Sequence, residues 1–514
     1  MFAYDPTSAF SDGVLDLLHD SGCRVMAWEQ LADANPDLIV SASENIDVPE
    51  GDCPVLVLPH GIGFQKHVPD SRTSHSRLSG VVPDRLLESG RAWLAISHPS
   101  QEDQLLATHP KVADHTLLIG DPCFDELLLS LDQAEAYRTA LGVPGKQQLV
   151  VVSSTWGPTS LIGQNPDLPA RLLAALPYDE FRVAAIMHPN VWSGHGAWQI
   201  RTILAAALDA GLILVPPVHA WRPALVAADA VIGDHGSVTL YGAALGKPVL
   251  LAAFGSDAAQ GTAVDSLGRA APRLDPLGDM VRQIRTVVGE HTSERYRTIA
   301  EQAFAHPGQA LSHLRATLYD LMGLPEPPLG VSPRLMLREP EATAPGVSSW
   351  TVATTASRHD GERMVVTVWR RPAAAHSAEQ EPPQVFTHLA CDERERDRHL
   401  IESASVMIQR RPLPTTSAAL RWIKETLRRH PGCRLAAVAL DEHSCLVGLR
   451  DGRVIETTIT GLGVDPGLPA AALYTLLRTG ATLCNTPLTL RIGELRDEDV
   501  SLQLRSHASA DPSC

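Results

Sequence analysis

Residues 228–254 read ADAVIGDHGSVTLYGAALGKPVLLAAF. An apolar run halts at Asp234-His235-Gly236-Ser237, resumes with helical character, halts again at Gly246-Lys247-Pro248 and ends apolar. The pattern is strand, turn, helix, turn, strand, and neither strand alternates polar with apolar residues. Strands of that kind are covered on both faces, as in a parallel sheet flanked by helices. The polar break has a backbone reason: Gly236 permits a tight turn, and Ser237 stands where a helix cap would. It also has a chemical one. Free N–H groups and the positive end of a helix dipole would face the crevice beyond the strand, which suits a phosphate.

The same alternation continues upstream. QLVVVSST (148–155), FRVAAIMHPN (181–190) and GLILVPP (211–217) are apolar strands separated by helical segments, so 141–325 reads as one Rossmann-like domain closed by helices over 277–322. Residues 1–140 alternate in the same way through RVMAW, DLIVSAS, PVLVLPHG, AWLAIS and TLLIGDP, and read as a second Rossmann-like domain. Its opening, MFAYDP, has the look of a strand tail, which predicts that this domain lacks its first strand and that the true start lies upstream. A Pro-rich stretch without periodicity, 326–348, reads as a linker. Beyond it, 349–514 carries strands at TVATTASR and MVVTVWRR, helices near 393–410 and 416–429, and an Asp451-Gly452 hairpin signal, which together predict an α+β domain of unassigned role. The expected fold is therefore α/β, with two facing Rossmann-like domains and an α+β domain at the carboxyl end.

A length of 514 residues agrees with about three domains. The formal charge of −16 opposes binding to nucleic acid or to an anionic membrane surface, both of which need clustered Lys and Arg. No apolar run is long enough to span a bilayer, and the amino terminus has no secretory signal, so a soluble, cytoplasmic protein is expected, with peripheral membrane contact disfavoured. The eight cysteines form no C-x-x-C pair and no metal-like cluster, so free thiols and no metal are expected.

In an open parallel sheet, ligands bind beyond the carboxyl ends of the strands. There the chain places Ser154, Thr155 and Trp156; His188; His219 and Trp221; and Asp234, His235, Gly236, Ser237 and Thr239. Each has an ordinary structural explanation on its own, as a cap, a loop histidine or a packing ring. Their convergence on one sheet edge is the functional signal. In the first domain a strand ends at His60-Gly61, with Lys66 following. A histidine there could take a proton from an acceptor hydroxyl, because imidazole titrates near neutrality.

These blocks, in this order over roughly 40–325, resemble the CDP-glycerol glycerophosphotransferase family and, more broadly, transferases of the GT-B fold. PHGIGFQK is similar to the family's His-Gly block, GDPCFDEL to its Gly-aromatic-Pro-Arg-x-Asp block, VVVSSTWG to its Thr-Trp-Arg block, and MHPN to its His-Pro block. DAVIGDHGSVTLYGAALGKPVLL resembles the segment that lies on the donor diphosphate. Asp121, Cys123 and Gly157 depart from the pattern, and with them two basic residues expected beside a diphosphate are absent. The resemblance implies a nucleoside-diphosphate donor as substrate, carrying glycerophosphate or a sugar, with no cofactor or metal. It implies His60 as base, Gly61, Lys66 and Asp125 on the acceptor side, His188 assisting the leaving phosphate, Gly236, Ser237 and Thr239 on the diphosphate, and Trp156 or Trp221 under the nucleobase. Two other readings stay open. One is a non-hydrolysing nucleotide-sugar epimerase, for which Asp125 and Asp234 are the cleft carboxylates. The other is an inactive GT-B scaffold that binds a nucleotide or a protein.

Overall fold

The computed structural model describes all residues except 7–10, 12, 70–75, 144, 329–335, 342–345, 360–362, 376–384, 462–464, 482, 484–487 and 506–514. Two strands, β1 (Phe2–Tyr4) and β2 (Val25–Ala27), pair only with each other, in parallel. The sheet of the first domain contains β3 (Ile39–Ser41) and β4 (Val55–Val57) and, after the small hairpin β5 (His67–Pro69) and β6 (Ser76–Leu78), β7 (Ala92–Ile96) and β8 (Thr116–Leu118). These four strands are parallel and lie in chain order, β3-β4-β7-β8. Among the described residues this sheet has no reversal of strand order and hence no switch-point crevice of its own.

The second sheet has that reversal. Strands β9 (Gln148–Ser154), β10 (Phe181–Met187), β11 (Ile213–Val215), β12 (Ala230–Gly233) and β13 (Val249–Leu251) are all parallel and ordered β11-β10-β9-β12-β13. The chain starts in the middle, fills one side, then crosses to the other, so a crevice opens between the carboxyl ends of β9 and β12. Every residue of β10, β12 and β13 is buried, as near-continuous apolar strands require.

The boundary expected near residue 140 is corrected. Phe124, Leu127, Tyr137 and Leu141 pack with Leu149, Val151 and Leu225, so the helices Pro122–Leu129 and Ala134–Ala140 cover the second sheet. In exchange, the helix Ala310–Leu321 returns to the first domain and lays Leu314, Leu318 and Leu321 against Leu56, Ala95 and Ile119.

The carboxyl-terminal unit, expected as an α+β domain, holds a closed nine-stranded barrel together with helices. Its strands are β14 (Ser349–His359), β15 (Arg363–Pro372), β16 (Phe386–Asp392), β17 (Val406–Gln409), β18 (Leu435–Ala439), β19 (Ser444–Leu449), β20 (Val454–Ile459), β21 (Leu488–Ile492) and β22 (Arg496–Leu504). Around the barrel the order is β14-β15-β21-β22-β20-β19-β18-β17-β16. The segment read as helix over 393–410 is helical only at Arg398–Ser403, because Val406–Gln409 is a parallel barrel strand. The helix at Thr416–Arg429 packs outside, and Asp451-Gly452 turns β19 into β20. The helix Gly467–Thr479 runs through the middle. Its residues from Gly467 to Leu476 are all buried, which fits a sequence that is apolar on every side.

The barrel is fixed to the second domain by buried charge. Arg370 Nε donates to Asp179 Oδ2 at 2.9 Å, its other end meets Asp465, and the Tyr178 amide donates to the Arg370 carbonyl at 2.7 Å. Six of the cysteines are free thiols, while Cys484 and Cys514 lie outside the described residues, as does part of the linker.

Candidate active site at the strand reversal

The site is built from the crevice upward. Asp234, directly after β12, is fully buried, and its carboxylate is taken up by backbone. Oδ2 accepts from the Thr155 amide at 2.9 Å and the Leu161 amide at 2.8 Å, and Oδ1 accepts from the Gly236 amide at 2.9 Å. One side chain therefore shapes both crevice loops. This corrects its placement as a ligand or sugar-binding carboxylate. Ser154 is likewise buried and internal, its Oγ accepting from the Ile162 amide at 3.0 Å.

His235 is corrected in the same way. Its ring is buried, Nδ1 accepts from the Gly255 amide at 3.1 Å, and Nε2 lies 3.0 Å from Asp257 Oδ2. An Nδ1 that accepts leaves the proton on Nε2, facing the carboxylate. Burial works against the Asp257 charge, but His235 and local hydrogen bonds hold its carboxyl below the usual range. Asp257 went unnoticed in the sequence although it stands two residues beyond Gly255, past the end of an apolar strand.

The helix Ser237–Ala244 opens with Gly236 as its N-cap and without a side-chain cap, so Ser237 is the first helical residue and not the cap. Its hydroxyl is half-buried beside the first domain. A Cβ on Gly61 would come within 2.9 Å of Ser237 Oγ, and Gly61 has φ +71°, so this close approach needs glycine twice over.

That approach belongs to a loop of the first domain pressed across the cleft. Ile62 is buried in the core of the second domain. The His67 amide donates to the Asp257 carbonyl at 2.7 Å, and the Ala259 amide to the Gln65 carbonyl at 2.9 Å. Between them, Lys66 Nζ donates to Thr155 Oγ1 at 3.2 Å and lies 4.7 Å from the centre of the Trp156 ring. Lys66 was expected on the acceptor side, yet it reaches the loop after β9. Burial lowers its pKa, and Asp257 and Asp234 oppose that shift.

His60 is exposed at the rim, with Nδ1 3.4 Å from the Ala42 carbonyl and its ring centre 6.5 Å from that of His188. His188 directly follows β10 and caps the next helix, Nδ1 accepting from the Asn190 amide at 3.1 Å. Burial, with Lys66 and His60 adding to it, pushes its pKa down to about 3. It is thus a neutral imidazole with its proton on Nε2, and no hydrogen bond engages that atom among the described residues.

Four expected site residues do not join this group. Asp125 is buried and accepts from the Gly308 and Ala310 amides, anchoring the returning helix. Thr239 is fully buried with its side chain against Gly233. Trp221 packs on Tyr241, ring centres 5.9 Å apart. His219, at φ +63°, is exposed and near Arg222. Among the described residues no three His, Cys, Asp or Glu side chains gather as a metal site, and no helix is long and apolar enough to cross a membrane.

No family model matches the chain, and no curated protein matches it. Among solved structures, the wall teichoic acid polymerase TagF is similar at 14% identity over 59% of this chain and 77% of that one, with a TM-score of 0.40. A glycosyltransferase from Rickettsia africae ESF-5 is similar at 11% identity, covering 60% of this chain and 87% of that one, TM-score 0.35. UDP-GlcNAc 2-epimerase from Neisseria meningitidis, bound to UDP-GlcNAc, is similar at 14% identity, covering 62% and 83%, TM-score 0.38. Likeness of this degree assigns neither activity nor ligand to this chain.

Proposed function

We propose that this protein is a GT-B-type transferase that binds a nucleoside-diphosphate-linked donor at the β9/β12 crevice and passes glycerophosphate or a sugar to an acceptor hydroxyl. The observation that carries the reading is the meeting of Lys66 with Thr155 at the strand reversal, beside a neutral His188 and an exposed His60. A diphosphate needs compensating charge, and the two basic residues missing from the sequence blocks leave Lys66 and the start of the Ser237 helix to supply it. His188 donates a hydrogen bond from Nε2 to the leaving phosphate. Trp156 offers the nucleobase a ring, and no metal is assigned a part.

In the reaction, His60 takes the acceptor proton as the acceptor oxygen attacks. For glycerophosphate transfer, the attack is on the β-phosphorus, the pyrophosphate bond breaks and nucleoside monophosphate leaves. For sugar transfer, it is on the anomeric carbon and nucleoside diphosphate leaves. The epimerase reading is weaker, because Asp125 and Asp234 are both held by backbone amides.

A thermal-shift screen of CDP-, UDP- and GDP-linked compounds should find the donor, since a ligand bound only to the folded state raises the melting temperature. Lys66→Ala should then weaken the diphosphate compound by about tenfold and leave the free nucleoside unaffected, the scale of one lost charged hydrogen bond. His60→Ala should lower turnover by about 10²–10⁴-fold with donor affinity kept. Binding without turnover against any acceptor would favour the inactive scaffold. Conversion of a nucleotide sugar with no acceptor would favour the epimerase. Absence of any nucleotide binding would end the reading.

A further inference from the structure

On the far side of β13 a cavity of about 230 Å³ is lined by Arg273, Arg282, Arg295 and Glu290, with Leu250 and Val287 as apolar wall. Three guanidinium charges against one carboxylate is a local reversal of sign in a chain of net charge −16. Nothing neutralises it from within. Among the described residues the Arg282 guanidinium has no partner. Arg273 is oriented by a bond to the Gly268 carbonyl at 3.1 Å and by the Phe254 ring, 4.8 Å away. Arg295 is held over Tyr296 at 5.7 Å. Two of the three are thus set in place by neutral groups and keep donors for another acceptor.

We propose that this pocket is an anion site for a compact phosphomonoester, separate from the crevice. The surplus of two positive charges matches the charge of about −1.5 to −2 on such an ester at neutral pH. Guanidinium forks suit phosphate oxygens, whereas a single carboxylate would leave donors unmet. The volume admits a phosphate and a short carbon chain, since one water takes about 30 Å³. Leu250 and Val287 give that chain an apolar seat. The Phe254 ring that supports Arg273 also stands edge-on to the buried His235 ring, centres 5.7 Å apart.

Calorimetry of the full chain with inorganic phosphate and with methyl phosphate, at constant ionic strength set by chloride, tests this. Methyl phosphate should bind one to one and more tightly than inorganic phosphate. Arg282→Glu should weaken it at least about tenfold, as expected for a lost charged contact replaced by repulsion. Arg282 is exposed, and its one structural bond, from its amide to the Asp279 cap, is made by the backbone and survives substitution, so folding is not at stake; Arg295→Gln provides a milder second variant. Lys66→Ala should bind as wild type does. Co-sedimentation with phosphatidate-bearing phosphatidylcholine vesicles, lost in Arg282→Glu, would support the site and assign its ester to lipid; binding of the free ester alone assigns it to a soluble compound. No saturable binding by wild type, equal binding by Arg282→Glu, or loss in Lys66→Ala would overturn the proposal.

Discussion

Ser237 opens its helix without capping it, and this separates two roles that a hydroxyl at such a position usually combines. Ser237→Ala should leave the melting temperature within about 1–2 °C of wild type, because no cap is lost, while weakening a bound diphosphate by about 1–2 kcal/mol. Thermal denaturation and calorimetry on one preparation check both parts. A fall in stability with unchanged affinity would make the hydroxyl a packing group against Gly61. Gly61→Ala tests the other side of the contact: its Cβ would crowd Ser237 Oγ and its backbone is left-handed, so it should cost about 1–3 kcal/mol, read by denaturant unfolding. Lys66 was expected on the acceptor side, and its bond to Thr155 across the cleft was not legible in the sequence. The distance from residue 66 to residue 155 is a property of how two sheets face each other, and no local pattern encodes it.

The turn after β12 depends on Asp234, whose carboxylate gathers three amides from two loops. Asp234→Ala leaves those amides buried and unpaired, and should destabilise the protein by about 3 kcal/mol or more, measured by denaturant unfolding. Asp234→Asn should restore part of this, since one amide oxygen still accepts. This turn was half legible. Asp-x-Gly signals an Asp side chain bonding two residues on, but the sequence gives no hint that the same group also reaches Thr155 and Leu161. The strands β9 to β13 were legible throughout, because each is an apolar run ended by Gly, Pro or a polar cluster. The barrel was not. Its strands pair in both directions, in one case across the interval from Met364 to Leu488, and Val406–Gln409, with helical sequence on either side, becomes a strand only because β16 and β18 flank it.

The three units are locked together, by the returning helix, by the loop at Gln65–His67 and by Arg370, so heat and acid should act on them jointly. His388 faces the barrel interior, 4.3 Å from Tyr474 between ring centres, and neither ring nitrogen has a partner among the described residues. Burial pushes its pKa down to about 3. Below the ordinary histidine range the unfolded chain takes up a proton that the native barrel refuses. Stability is therefore full above about pH 6.5 and falls as pH drops toward 3, by about 2 kcal/mol at pH 5 from this group. His388→Phe should be more acid-resistant, with a flatter melting temperature between pH 6.5 and 4; His188 keeps some of the slope. An unchanged slope would mean the ring finds a partner in solution.

The order of strands around the barrel bears on how the chain leaves the ribosome. Strands β14 to β20 form one continuous seven-stranded sheet, β15-β14-β16-β17-β18-β19-β20, and β21 and β22 close the gap between its two edges. The central helix lies between these groups in the chain, at Gly467–Thr479. During synthesis the open sheet therefore emerges first, as a trough with its greasy side bare. In a chain that folds in the order it is made, the helix enters next as a core and the final hairpin shuts it there. A nascent chain paused between residues 459 and 480 exposes both trough and free edges, and that interval is where a chaperone would be needed most.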